Sequence, residues 1–210
     1  MNSGAWITVA SVLLLLVSKH RAWRVGEWIF KPLASAGFIA SAVQHGALST
    51  RYGLGITAGL ALSWWGDVLL IPKDRRAFLG GLVAFLLAHV AYAYAFVARG
   101  VHTPIAAGSF ALLLMPLAFV ARWLLPHVPG AMKPPVAAYM LVITAMVALA
   151  LGTTAWTPDV WIVVGAVAFY LSDLTVARDR FVTPGFDNKL WGWPLYYGAQ
   201  LVLAATTATR

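Results

Sequence analysis

The chain has 210 residues, 61% of them hydrophobic and 10% charged, with a mean hydropathy of +0.79. A water-soluble domain carries about a quarter charged residues, so a single globular core in water is excluded and a polytopic membrane protein is expected. The formal charge of +8 could suit nucleic acid, but no basic face or aromatic-basic module accompanies it, so no nucleic-acid partner is expected. In a membrane chain the same excess belongs to cytoplasmic loops. Zero cysteines exclude disulfides and thiolate metal or redox sites. The N-terminus lacks the charged region and small-residue cleavage site of a removable signal peptide, so its apolar run reads as a retained first span.

Apolar runs able to cross about 30 Å of hydrocarbon fall at 4–18, 28–47, 52–71, 77–98, 103–125, 134–152, 158–176 and 190–208. They predict an all-α fold, a polytopic helical bundle of about eight transmembrane helices forming a single transmembrane domain over residues 1–210. The first span is short and only "TTAWTPD" separates the sixth from the seventh, so a count of about seven also stays open. Short loops make consecutive helices antiparallel neighbours.

Odd-numbered loops hold Lys19, Arg21, Arg24, Lys73, Arg75, Arg76, Arg122, Lys133, Arg178, Arg180 and Lys189, against Arg51, Arg99 and Arg210 on the other side. Lys31 falls inside the second span. By the positive-inside rule both termini are non-cytoplasmic. Trp23, Trp28, Trp123, Trp156, Trp161, Trp191 and Trp193 lie near predicted helix ends, as interfacial anchors do. An internal echo pairs Lys31-Pro32 with Lys133-Pro134, and Asp67 with Asp173, each across four helices. That spacing fits a parallel four-plus-four pseudo-repeat with the two aspartates opposite each other.

Asp67, in "LSWWGDVLLIPKDRR", is the sharpest feature. A carboxyl at a helix centre costs about 2.5–3.5 kcal/mol, and intramembrane acids are functional by default. Gly55, Gly59, Ser63 and Asp67 form a stripe at four-residue spacing that admits a close helix neighbour and turns Asp67 inward. The bland alternative pairs it with an arginine to pin a helix end. Asp173, in "FYLSDLTVARDRF", repeats the pattern at similar depth, its bland partners being Arg178 or Arg180. Two buried carboxyls on separate helices suit general acid/base chemistry. Lys31 either snorkels to the headgroups or turns inward to an aspartate or a lipid phosphate. Pro32 reads as a first-turn helix start. His89 shares a helix face with Phe85 and Tyr92 and is either a packing residue or part of a site. Metal ligation is not expected, since neither HExxH nor a His pair at ligand spacing occurs. In the last span Tyr196 or Tyr197, together with Gln200, supplies hydroxyl and amide groups, or serves as an interfacial anchor. The absence of a Gly-x-Ser-x-Gly elbow, a glycine-rich phosphate loop and any cysteine disfavours serine esterases, kinases and thiol enzymes.

These residues carry a resemblance. "KPL" at Lys31–Leu33, "WGDVLL" at Trp65–Leu70, "FLGGLVAFLLAHVAY" at Phe78–Tyr92, "SDL" at Ser172–Leu174 and "YYGAQL" at Tyr196–Leu201 together resemble the YhhN-like lysoplasmalogenase family. The match runs in order from the second helix to the last; no single piece is specific, but the ordered set is. The resemblance implies a membrane enzyme that hydrolyses the vinyl ether bond of lysoplasmalogens to a fatty aldehyde and glycerophospho-ethanolamine or -choline, without a cofactor. It implies catalytic roles for Asp67 and Asp173, and substrate contacts from Lys31, His89, Tyr196, Tyr197 and Gln200, with no metal. One departure is Asp179 in "VARDRF", where the family often has an amide. A lysophospholipid substrate, membrane lipids as surroundings and a bacterial inner membrane as host are the accompanying expectations.

Two rival classes remain. A small-molecule or proton-coupled transporter also uses buried acids on repeated helices, and would show alternate openings on both sides. A non-catalytic lipid-binding protein would bury both acids in dry ion pairs with arginines and have no cavity between the third and seventh helices. A hydrolase of a lipid would open toward one leaflet only. An intramembrane aspartyl protease is disfavoured, because the paired Tyr-Asp and Gly-x-Gly-Asp pattern is missing.

Overall fold

The computed structural model describes residues 1–208; Arg210, counted above among the loop charges, lies outside them. The described residues form eight α-helices and no strand: α1 (Ser3–His20), α2 (Arg24–Gln44), α3 (Arg51–Leu69), α4 (Arg75–Arg99), α5 (Thr103–Leu124), α6 (Lys133–Trp156), α7 (Val160–Ala177) and α8 (Phe186–Ala205). Helices satisfy every backbone polar group internally, which hydrocarbon demands. Five of them, α1, α4, α5, α6 and α7, are long and apolar enough to cross a membrane, and the chain is an integral membrane protein. The three that fall short carry Lys31, Asp67 and Gln200. They pack on one another, so the least apolar helices meet where protein, not lipid, surrounds them.

The helices pair as antiparallel hairpins, α1 with α2, α3 with α4, α5 with α6 and α7 with α8. The halves are joined by α2 against α8 and α4 against α6. The small-residue stripe of α3 is real, and its partner is α4. A Cβ at Gly55 would meet Ala95, and one at Gly59 would enter the Tyr92 ring.

Helix α2 corrects the sequence reading. It starts at Arg24, well before Lys31, so Pro32 lies inside it and not in its first turn. The extra turns are held to α1 by Lys19, which pairs with Glu27 at 2.8 Å, and at their start by the N-cap residue Trp23, which packs edge-on against Phe30 at 6.0 Å. Pro32 removes one intrahelical hydrogen bond, and its own carbonyl accepts from the Trp64 indole at 3.1 Å. Lys133, by contrast, is the first residue of α6 and is exposed, so it does not occupy the position in α6 that Lys31 has in α2. Among the tryptophans, Trp23, Trp28, Trp156, Trp161 and Trp191 are exposed at helix ends, whereas Trp193 packs against the core.

The end of the bundle carrying the α1–α2, α3–α4 and α7–α8 connections is open. The opposite end is cross-linked. Arg99 pairs with Asp159 at 3.2 Å, donates to the Thr206 carbonyl at 2.8 Å and lies 4.5 Å above the Tyr52 ring. The Tyr52 and Thr206 hydroxyls are 2.6 Å apart. These contacts join α3, α4, the start of α7 and the end of α8.

Candidate active site

A cavity of about 730 Å³ enters from the open end and reaches both Asp67 and Asp173. Its apolar wall is built by Phe78, Leu82, Leu124, Val136, Met140 and Ile143, from α4, α5 and α6. That composition accommodates a hydrocarbon chain, while the polar groups gather on the α2, α3, α7 and α8 side.

Asp67 is buried, at 2% exposure. Lys31 turns inward: its Nζ is 3.3 Å from Asp67 Oδ1 and donates to the Asp67 carbonyl at 3.0 Å. Ser35 Oγ donates to Asp67 Oδ2 at 2.6 Å and the Tyr196 hydroxyl donates to the same oxygen at 2.8 Å. Lys31 and Ser35 are four apart on α2, which puts both on the face toward α3. A buried ammonium and carboxylate require each other, since either charge alone in low dielectric is heavily penalised. This carboxyl is clamped by three side chains from α2 and α8.

Asp173 has a different shell. The Tyr139 hydroxyl of α6 donates to its Oδ2 at 2.6 Å, and His89 Nε2 of α4 lies 3.5 Å from that oxygen. Neither Arg178 nor Arg180 pairs with it: Arg178 donates to Asn188, and the Arg180 guanidinium lies 4.2 Å above the Phe78 ring. His89 is fully buried and stacks on Phe169 at 4.4 Å. Its Nδ1 lies 2.6 Å from the Phe85 carbonyl. A carbonyl only accepts, so Nδ1 carries a proton, and the ring directs Nε2 toward Asp173. Nε2 is the buried side-chain atom without a hydrogen-bond partner among the described residues.

Of the residues singled out in the sequence, Asp67, Asp173, Lys31 and Tyr196 line the cavity. His89 stands behind Asp173. Tyr197 and Gln200 stand further back: the Tyr197 hydroxyl reaches the Lys31 carbonyl at 3.5 Å. Gln200 accepts from Tyr92 at 2.6 Å and donates to Ser63 at 3.2 Å. These residues tie α8 to α2, α3 and α4 without touching the cavity. Ser63 belongs to the α3 stripe read from the sequence, whereas Tyr139 and Ser35 are not marked there. Ser35 was within reach through its four-residue spacing from Lys31; Tyr139 carries no such signal. Asp179 belongs to the loop between α7 and α8, where it accepts from Lys189 Nζ at 2.6 Å and from the Gly185 amide at 3.0 Å. No group of three or more His, Cys, Asp or Glu side chains able to hold a metal occurs among the described residues.

A helical membrane bundle with a buried carboxyl, Asp67, and a half-buried one, Asp173, on one cavity defines the class. The chain belongs to the YhhN family, whose profile matches residues 26–207. It is 31% identical to the lysoplasmalogenase TMEM86A of Bos taurus, covering 84% of this chain and 71% of that protein. It is 30% identical to the lysoplasmalogenase of Mycobacterium bovis, covering 96% and 78%, and 29% identical to the lysoplasmalogenase TMEM86B of Sus scrofa, covering 99% and 88%. No solved structure matches the chain.

Proposed function

We propose that this protein is a membrane-embedded hydrolase that cleaves the vinyl ether bond of lysoplasmalogens by aspartate acid/base catalysis. The observation that carries the reading is the unlike pairing of the two carboxyls on one cavity. Asp67 faces an ammonium and two hydroxyl donors, whereas Asp173 faces a phenol and a ring nitrogen and no cation. Asp67 has an ammonium beside it and is the standing anion, whereas half-buried Asp173 has none and holds the transferable proton.

The reaction follows. Asp173 delivers its proton to the alkene carbon remote from the ether oxygen, and the electrons of the double bond form the new C–H bond. This leaves an oxocarbenium ion between the ether oxygen and its attached carbon. The carboxylate of Asp67 stabilises that cation and takes a proton from the water that adds to it. Proton return through the same groups collapses the hemiacetal to aldehyde and glycerophospho-alcohol. The scheme parallels glycoside hydrolysis, where paired carboxyls flank an oxocarbenium-like transition state, and it uses no metal or organic cofactor. His89, its Nε2 3.5 Å from Oδ2, positions Asp173.

The wider reading is a single membrane domain of eight spans with both termini away from the cytoplasm, in the inner membrane of a bacterium. Loop charge supports this, since the cavity opens on the basic side. The cross-linked opposite end, held by Arg99, Asp159, Tyr52 and Thr206, supports a hydrolase over a transporter with alternating access. A four-plus-four pseudo-repeat is supported by crossed partnership: Asp67 is held by α2 of its own half and α8 of the other, and Asp173 by α6 and α4.

The test is aldehyde release from a lysoplasmalogen by purified protein in detergent, beside Asp67→Asn and Asp173→Asn. Release by the wild type and its loss in both folded variants is expected. No release from folded wild type with either headgroup would sink the proposal.

A further inference from the structure

Lys31, the residue first suited to a lipid phosphate, is committed to Asp67, and the question of what holds the headgroup is thereby reopened. The outer part of the cavity is lined by Lys19, Glu27, Lys73, Asp179, Arg180 and Lys189. Two of the four cations are neutralised within this set, Lys19 by Glu27 at 2.8 Å and Lys189 by Asp179 at 2.6 Å. Lys73 and Arg180 have no carboxylate partner among the described residues. The carboxylate next to Lys73, that of Asp74, is turned away to cap α4 by accepting from the Ala77 amide at 2.9 Å.

Arg180 is also held in place. The chain leaves α7 through a π-helical turn over Arg178–Val182, a local widening that recurs at functional sites. The turn sets the guanidinium 4.2 Å above the Phe78 ring, and Phe78 is itself edge-packed on Phe181 at 5.8 Å. Arg180 follows Asp173 by seven residues, about 10 Å of helical rise. That gap is one a glycerol backbone and the length of an arginine side chain span together.

We propose that Lys73 and Arg180 form the subsite for the phosphate diester of the lysolipid, resting on the hydrolase reading above. Arg180 supplies the directional fork and Lys73 a mobile point charge. The cations lie at the mouth and the carboxyls deeper, with the apolar wall of α4, α5 and α6 alongside both, so a phosphate held at the mouth leaves the vinyl ether to the carboxyls and the alkyl chain to that wall.

The experiment compares aldehyde release from 1-alkenyl-glycerophosphoethanolamine with that from 1-alkenylglycerol, which lacks the phosphate, using full-length protein. The readout is the ratio of the two kcat/KM values. Arg180→Gln is expected to lower this ratio about tenfold and Lys73→Gln, in an exposed loop, about threefold. Arg180→Lys should recover part of the loss. Lys73→Gln alters no packed side chain and keeps the test valid if an Arg180 variant misfolds. A wild-type ratio in the folded variants would overturn the subsite while leaving the hydrolase standing. Equal inhibition of both substrates by inorganic phosphate, relieved in the variants, would make the pair a free-anion site and overturn the headgroup assignment. No aldehyde from the wild type with either substrate would remove both proposals together.

Discussion

Lys31 and Asp67 illustrate how a membrane interior tolerates charge. Removing the ammonium alone leaves a buried carboxylate without compensation, a change of about 3–5 kcal/mol. Lys31→Met is therefore expected to lower the melting temperature in detergent and abolish activity. The double variant Lys31→Met/Asp67→Asn should recover stability but stay inactive, which separates folding from chemistry. On the other carboxyl, Tyr139→Phe removes one hydroxyl donor of about 1 kcal/mol. It should lower kcat about five- to tenfold while KM changes little, because the hydroxyl that is lost serves Asp173 and the ring stays in the cavity lining. Steady-state kinetics on the two variants distinguishes these effects. Asp67 and Asp173 were legible from sequence because a charge in an apolar run is costly enough to need a reason. Tyr139 was not, because tyrosine is ordinary in a membrane helix and only its neighbour across the bundle gives it a role.

Among the elements, the α3–α4 hairpin rests on missing side chains. Gly59 faces the Tyr92 ring, and Tyr92 in turn donates to Gln200. Gly59→Leu is expected to push the two helices apart and to destabilise the fold by about 1–3 kcal/mol. Activity should fall with it, since α3 carries Asp67 and α4 carries His89; thermal unfolding followed by tryptophan fluorescence reads the first effect. Hydropathy located all the helices, yet placed the starts of α2 and α8 about four residues late. The turns before Lys31 are polar and aromatic, and their helical state depends on the Lys19–Glu27 pair and on Trp23 packing against Phe30. Hydropathy has no access to either contact.

For the whole molecule, the lack of cysteine makes orientation directly measurable. A single Arg76→Cys, in the first turn of α4, should be labelled by an impermeant maleimide only in inverted membrane vesicles. A single Ser49→Cys, between α2 and α3, should be labelled only in right-side-out vesicles. The opposite pattern would put the cavity mouth on the far leaflet. Arg99→Ala tests the sealed end: loss of the Asp159 and Thr206 contacts should make Ser49→Cys and its surroundings more reactive while Asp67 chemistry is retained.

The sequence alone determined the class of molecule. Composition forced a membrane, run length located the helices with a count of seven or eight, and the expense of intramembrane charge marked Asp67, Asp173 and Lys31. What it could not decide was partnership. Which acid meets the ammonium and which meets the imidazole depends on α2 crossing to α8 and α4 to α6, contacts between residues far apart in the chain, such as Lys31 with Tyr197 and His89 with Tyr139. The same holds for Tyr197 and Gln200, whose order in the chain suggests a site but whose side chains brace the helices behind it. Periodicity reports the face a residue occupies on its own helix; only packing supplies what stands opposite, and in low dielectric that opposite group decides where the proton resides.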